Sequence, residues 1–274
     1  MANIFITYGD DNFKESLNRL RKQAKDLGIF EKVIAYTPKD LPLFIKSSPL
    51  FAYKRGGGYW IWKPYIIYQT LQNCKKGDVV YYADAGCSIN CQSLEWQYFE
   101  SLMKEYSAIF FQYKSDFDYG WGRYCASPEN NSVAIKHWTK PLTIDFFKNY
   151  FNDEQFLDYG KIWGGFCIVK KENVINPIID EWLKISLFYP NLLIDPFGGE
   201  LQHLPISFNL HRHDQSIITP LIFYYKDKYN IKVLEETSES DKNHAAIVAD
   251  RYRVGKMPFM LYIKYKIYNI IHQA

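Results

Sequence analysis

The ten residues Asp78-Val79-Val80-Tyr81-Tyr82-Ala83-Asp84-Ala85-Gly86-Cys87 constrain this chain more than any other stretch. From Val79 to Tyr82 the run is β-branched and aromatic without a polar break. That is the pattern of a strand buried on both faces, and such strands belong to sheets covered by helices on either side. A Lys-Lys-Gly turn signal precedes the run, and an acid with two small residues ends it. In open α/β sheets ligands bind just beyond the carboxyl ends of the strands. Asp84 therefore stands where a carboxylate can hold a metal ion or a sugar hydroxyl, and Ala85 and Gly86 let phosphate or sugar approach the backbone. A plain Asp-Ala-Gly turn accounts for these residues equally well.

The chain around this strand alternates in the same style. Residues 3–8 read as a strand ending at Tyr8-Gly9-Asp10, a helical pattern runs through Leu17, Leu20 and Ala24 to Gly28, and residues 31–36 read as a second strand. Strand, helix and strand in that order make a right-handed parallel unit. Pro64 fits the first turn of a helix through Ile67 and Leu71. Further helices are expected near 93–105, 142–151, 153–158 and 172–187, with strands at 108–112 and 162–169. Residues 189–210, with several Pro and Gly, read as a loop over the site, and His211-Arg212-His213-Asp214-Gln215-Ser216 opens a last helical run. The expectation is one α/β domain over residues 1–250, with a mostly parallel central sheet flanked by helices, followed by a basic aromatic tail over 251–274.

With 274 residues the chain can bury a substantial core. A net charge of +3 is too small to argue for a nucleic-acid partner. The five cysteines lack the paired spacing of zinc ligands, and a reducing cytoplasm is their simplest home. The residues that could carry chemistry are few. Trp60, Trp62 and Lys63 cluster at a helix start, where the helix dipole and a lysine favour an anion such as phosphate. The triple glycine at 56–58 lacks the Gly-Lys-Ser/Thr ending of a phosphate loop. Gly164-Gly165 at a strand start signals close approach by a ligand or a neighbouring strand. Trp163 beside the pair could stack on a sugar. Asp214 is explained by helix capping, whereas His211 and His213 are not, and either histidine could act as a base near neutral pH.

Taken in order, Lys63, Ala83-Asp84-Ala85, Gly164-Gly165-Phe166 and Asp214-Gln215 resemble the GT-A-fold glycosyltransferases, in particular the glycogenin and lipopolysaccharide-galactosyltransferase group. Gly58-Tyr59-Trp60-Ile61-Trp62-Lys63-Pro64 followed by Asp84-Ala85-Gly86-Cys87 is similar to bacterial surface-polysaccharide transferases of that fold. The resemblance covers roughly residues 3–222 and implies a Rossmann-like sheet and hexosyl transfer from a nucleotide-sugar donor, most simply a UDP-sugar, to a glycan or lipid-linked acceptor. It implies that Thr7 and Tyr8 meet the nucleotide base, that Lys63 contacts the donor, and that Asp84, Ala85 and Gly86 line the junction of metal and sugar. It further implies that Trp163, Gly164, Gly165 and Phe166 line the sugar and acceptor pocket. Asp214 and Gln215 would lie beside the anomeric carbon, with His213 as a second candidate for the reacting centre. Gly86 stands where the group carries a second Asp. A divalent cation, Mn2+ or Mg2+, would then need Asp84 to be joined by another ligand, with His244, His211 or Asp116 as candidates. Without a metal, Lys63 and Arg55 would offset the charge of the leaving group.

From Met260 onward, Ile263, Ile267, Ile270 and Ile271 recur at helical spacing beside Lys264 and Lys266, and 251–274 holds no Asp or Glu. A basic amphipathic helix there could lie on the cytoplasmic face of the inner membrane or pack on the domain. A non-catalytic carbohydrate-binding protein, or a nucleotidyl- or phosphotransferase, is the alternative to a sugar transferase.

Overall fold

The computed structural model describes residues 1–120, 132–173 and 176–250. The expected tail helix lies outside the described residues, and residues 114–131, rich in Asp, Gly, Tyr and Trp and read from sequence as a loop, are described only as far as 120. In chain order the elements are β1 (Asn3–Tyr8), α1 (Lys14–Leu27), β2 (Lys32–Tyr36), a short α2 (Leu43–Lys46), α3 (Trp62–Gln72), β3 (Val79–Ala83), β4 (Ser88–Ile89), α4 (Glu95–Glu105), β5 (Ala108–Gln112), α5 (Pro141–Phe151), β6 (Ile162–Lys170), α6 (Pro177–Phe188), α7 (Asp214–Tyr225), β7 (Ile231–Glu235) and β8 (Ile247–Val248).

Six strands form one sheet in the order β2-β1-β3-β6-β5-β7. Every strand but β6 runs the same way, so the sheet is mostly parallel, with β6 antiparallel to both its neighbours. β3 lies third in the row and every one of its residues is buried, as its unbroken apolar run requires. α1 shows how the flanking layer forms. Leu17, Leu20 and Ala24 fall on one face at spacings of three and four, and they are the positions that bury. On the β6 half of the sheet, Phe166 stacks on Phe111 at 5.0 Å and meets Phe99 and Trp96. Phe166 is therefore a core residue, which corrects its expected place in a sugar pocket.

Two features escape the sequence pattern. β7 follows a Lys/Asp/Tyr-rich turn and is half-buried at the sheet edge, so it lacks the continuous apolar run of a central strand. β4 and β8 are two residues each, pairing 160 positions apart, too short for any period to show.

Candidate functional site

Register places the site. Ile6 of β1 pairs with Tyr82 of β3, so Tyr8 and Asp84 leave adjacent strands at the same level, and neighbouring strands lie only about 4.8 Å apart. A cleft opens beyond each strand. The first, of about 200 Å³, is walled by Tyr8, Asp10, Asn12, Tyr53, Lys54 and Gly57. The second, of about 210 Å³, is walled by Asp84, Gly86, Trp163, Arg212, Gln215 and Glu239, among others.

Behind Asp84 stands the buried Lys63. Its Nζ lies 2.5 Å from Asp214 Oδ2, 2.9 Å from the Gly164 carbonyl and 3.4 Å from Asp84 Oδ1. Three residues scattered over 151 positions thus meet at one ammonium. Each has a local reason to be there. Lys63 lies in the first turn of α3, Asp84 follows the last residue of β3, and Asp214 opens α7. Gly164 makes the convergence possible: a Cβ there would stand 3.0 Å from Asp214 Oδ2 and 3.1 Å from Gln215 Cγ. Its neighbour Gly165 accepts a hydrogen bond at 2.9 Å from the Asp84 amide, which carries the β3–β6 ladder one residue past the strand.

Burial works against both charges of the inner pair. For Lys63 the two carboxylates outweigh burial and hold the ammonium charged, above its ordinary range. For Asp214 burial wins over Lys63, and the carboxyl is raised. Lys63 is only 2% exposed and its three N–H directions are taken. It therefore sits behind the site, a correction to its expected contact with the donor. Asp214 is likewise buried and lines neither cleft. Asp84 is different, with a side chain 35% exposed that faces the second cleft. The Tyr82 hydroxyl and Lys63 both engage its Oδ1, leaving Oδ2 for a ligand. Burial, followed by the Asp84 charge, pushes the Tyr82 phenol well up, so it remains a donor.

Other expectations divide. Tyr8 lines the first cleft, stacked on Trp62 at 3.9 Å, and its hydroxyl has no partner among the described residues. Burial, then Asp10 and Asp40, raise its pKa, keeping the hydroxyl a donor. Gln215, Trp163, Gly165 and Gly86 line the second cleft, where Gln215 Oε1 is also unpartnered. Thr7 and Ala85 are buried and line neither. Arg55 faces Asp195, Nη1 to Oδ2 at 3.4 Å, not a cleft.

The histidines are not bases facing a ligand. His211 Nε2 meets the Leu192 carbonyl at 2.8 Å and its Nδ1 accepts from the Lys140 amide. His213 Nδ1 donates to the Leu193 carbonyl at 2.7 Å, and its ring stacks on Trp60. Burial lowers the His213 pKa to about 4 and drives that of His211 well below the ordinary value. Both are neutral structural residues. An imidazole with a depressed folded pKa binds its proton more readily when unfolded, so stability is lost as pH falls from about 6.5 towards 4. The melting temperature should drop across that window, and less steeply in His213→Gln. Equal slopes would contradict the buried neutral ring.

The fit for a divalent cation is poor. His244 is exposed, bonds Asp241 and lines neither cleft. The ring nitrogens of His211 are both engaged, and Asp116 is an exposed residue lining neither cleft. No group of three or more His, Cys, Asp or Glu suited to a metal occurs among the described residues. Asp84 faces a lysine instead.

Sequence reasoning passed over Asp195, Arg212 and Glu239. Arg212 lies over the Trp138 ring at 4.8 Å on the wall of the second cleft. Its place between two conspicuous histidines was the available signal. Asp195 binds Arg55 and accepts from the Tyr59 hydroxyl at 3.1 Å. That contact helps to hold a left-handed turn, in which Gly56, Gly57, Gly58, Tyr59 and Trp60 all have φ between 52° and 96°. Left-handed backbone costs a non-glycine residue about 1–2 kcal/mol, so Tyr59 and Trp60 need their ties to Asp195 and His213. The turn places Gly57 against the first cleft.

No protein-family model matches the chain. Among curated proteins, a guanylate kinase of Clostridium acetobutylicum is 28% identical over 138 residues. The match covers 42% of this chain and 66% of that protein, so the chain spans just under two thirds of the curated relative's length. Among solved structures, the chain is similar to a glycosyltransferase involved in glycosylation of the major capsid of PBCV-1, with 8% identity, 90% and 93% of the two chains covered and a TM-score of 0.49. It is also similar to mouse xyloside xylosyltransferase 1, with 10% identity, 86% of each chain covered and a TM-score of 0.40. The galactosyltransferase LgtC aligns at 11% identity over 84% of this chain and 72% of its own, with a TM-score of 0.36.

Proposed function

We propose that this protein is a glycosyltransferase that moves a hexose from a nucleotide-sugar donor, most simply a UDP-sugar, to a bacterial cell-surface glycan. The observation that carries this reading is the cluster in which Lys63 joins Asp84 to Asp214 behind a cleft at the end of β3, with a second cleft at the end of the adjacent β1. Each cleft alone is smaller than a small-molecule pocket of about 300–1,000 Å³, and together they suit a two-part ligand. The Tyr8–Trp62 stack offers an aromatic wall for a base. Asp84 Oδ2, Gln215 Oε1 and the Trp163 ring offer what a sugar needs, hydrogen-bond acceptors beside an aromatic face.

In this reading the bond from the anomeric carbon to the phosphate oxygen breaks and the nucleoside diphosphate leaves with its electron pair. The acceptor hydroxyl oxygen then bonds the anomeric carbon, and its proton passes to the departing diphosphate oxygen. Asp84 and Gln215 hold the sugar, Lys63 and Asp214 position Asp84, and Arg212 supplies positive charge to the second cleft. Gly86 keeps the backbone of the second cleft open to the pyrophosphate. A metal, if the enzyme uses one, would take Asp84 as a ligand, and the described residues supply no full shell for it.

A phosphotransferase, which the guanylate kinase match brings up, would use a Gly-x-x-x-x-Gly-Lys-Ser/Thr loop, and the sequence contains none. A screen of UDP-, GDP- and CMP-sugars should release UDP, GDP or CMP from one donor class, UDP-sugars first. Calorimetric binding of oligosaccharides with no nucleotide binding or release would favour the non-catalytic alternative.

A further inference from the structure

One wall of the first cleft hangs on a carboxylate that touches neither cleft. Phe51, Ala52, Tyr53, Lys54 and Gly57 of that wall come from a single short segment. The segment runs on into the left-handed turn, where Gly57, Tyr59 and Trp60 all have positive φ. Such backbone is unfavourable for Tyr and Trp and persists only where surrounding contacts over-determine it. Two polar side chains of the segment reach far across the sequence, and both end on Asp195. The Tyr59 hydroxyl donates to Asp195 Oδ2 at 3.1 Å, and Arg55 Nη1 lies 3.4 Å from the same oxygen.

Asp195 is itself a fixed post. It follows Leu192, Leu193 and Ile194, all of them buried. His211 Nε2 meets the Leu192 carbonyl at 2.8 Å, and His213 Nδ1 donates to the Leu193 carbonyl at 2.7 Å. The two neutral histidines thus anchor the stretch of chain that presents the carboxylate. A hydrogen bond to a charged acceptor is stronger than a neutral one, so the Tyr59 contact carries the tie. The Arg55 pair is partly exposed and adds little. Asp195 lines neither cleft, so it reaches a ligand only through the turn.

We infer that Asp195 is a positioning residue for the nucleotide. By holding Tyr59 it keeps the turn left-handed and Gly57 against the aromatic wall, where a Cβ on Gly57 would stand 3.5 Å from Trp62 Nε1 and 3.9 Å from Tyr8 Cε1. The inference rests on the first cleft taking the nucleotide end of the donor. Apparent affinity falls with the fraction of molecules whose cleft is formed, so a turn formed about a tenth of the time binds about tenfold more weakly.

The test is calorimetry of the full-length protein with UDP, GDP and CMP, alongside kinetics on the donor that the screen identifies. Asp195→Ala should weaken binding of the nucleotide and raise the donor KM by about tenfold, with kcat within about threefold of the parent. Tyr59→Phe loses only the hydroxyl and should match it, and the double variant should fall within about twofold of either single. Asp195→Asn keeps an oxygen for the Tyr59 hydroxyl and should stay within about threefold of the parent. In Asp195→Ala, hydrogen exchange should quicken at the amides of Gly58, Tyr59 and Trp60, which bond the Tyr53, Arg55 and Gly56 carbonyls, while the central sheet stays protected. A parent that binds none of the three nucleotides would remove the reading of the first cleft and this proposal with it. A parent that binds one, with variants that bind it equally well, would overturn the positioning role alone. Losses that multiply in the double variant, a fall in kcat at unchanged KM, or unaltered exchange in the turn would overturn it too.

Discussion

Lys63→Met is expected to lower the melting temperature by roughly 8–15 °C and to abolish sugar transfer. The side chain fits by volume, so the loss is electrostatic. Asp214 is buried and holds Lys63 at 2.5 Å, with the Asp84 carboxylate on the other side of the same ammonium. Removing one partner of a buried ion pair leaves an uncompensated charge and costs about 3–5 kcal/mol. In a chain of this size each kcal/mol moves the melting temperature by about 2–4 °C. A second substitution separates structure from chemistry. Lys63→Met/Asp214→Asn removes the orphaned charge as well and should recover most of the stability but none of the turnover. Recovery of both would mean that the cluster is structural only.

Asp84→Asn should reduce turnover by about a thousandfold or more while leaving melting within about 1–2 °C of the parent. The side chain is one-third exposed, so its charge adds little to folding, and an amide fills the same space. In the proposed reaction its free Oδ2 orients the sugar as positive charge builds at the anomeric carbon. An amide cannot supply the countercharge there, and a lost preorganised electrostatic contact costs about 100–1,000-fold by itself. Loss of positioning adds to that. Affinity for the free nucleoside diphosphate should stay within a few-fold, because the aromatic wall of the first cleft does not involve Asp84. Parent-like turnover would remove Asp84 from the reacting centre.

The parts of this site that could be read from sequence are those whose local pattern and tertiary role coincide. The unbroken apolar run before Asp84 requires a central strand, and the acid follows because ligands gather at strand ends. The glycine pair at 164–165 signals a close approach, which at Gly164 is that of α7, with Asp214 Oδ2 where a Cβ would crowd it, and at Gly165 is that of the Trp163 ring. Residue types did not disclose direction. Lys63 at the start of a helix suggests a phosphate ligand, but the first turn of α3 aims it at Asp214 and the Gly164 carbonyl. His213 has the look of a base, yet burial and the Leu193 carbonyl make it a neutral wedge against Trp60. Phe166 follows two pocket-like glycines and turns into the aromatic core. Asp195 carries no motif at all, and only the folded loop brings it to Arg55 and Tyr59.

If Asp214 acts on the reaction only by holding Lys63 against Asp84, the three side chains form one functional unit. Groups that act as a unit lose activity non-additively. The direct test is nucleoside diphosphate release by Asp84→Asn, Asp214→Asn and the double variant, measured under one set of conditions. The predicted result is a double variant within a few-fold of the slower single. Losses that multiply across the pair, or either single retaining parental release, would contradict the account.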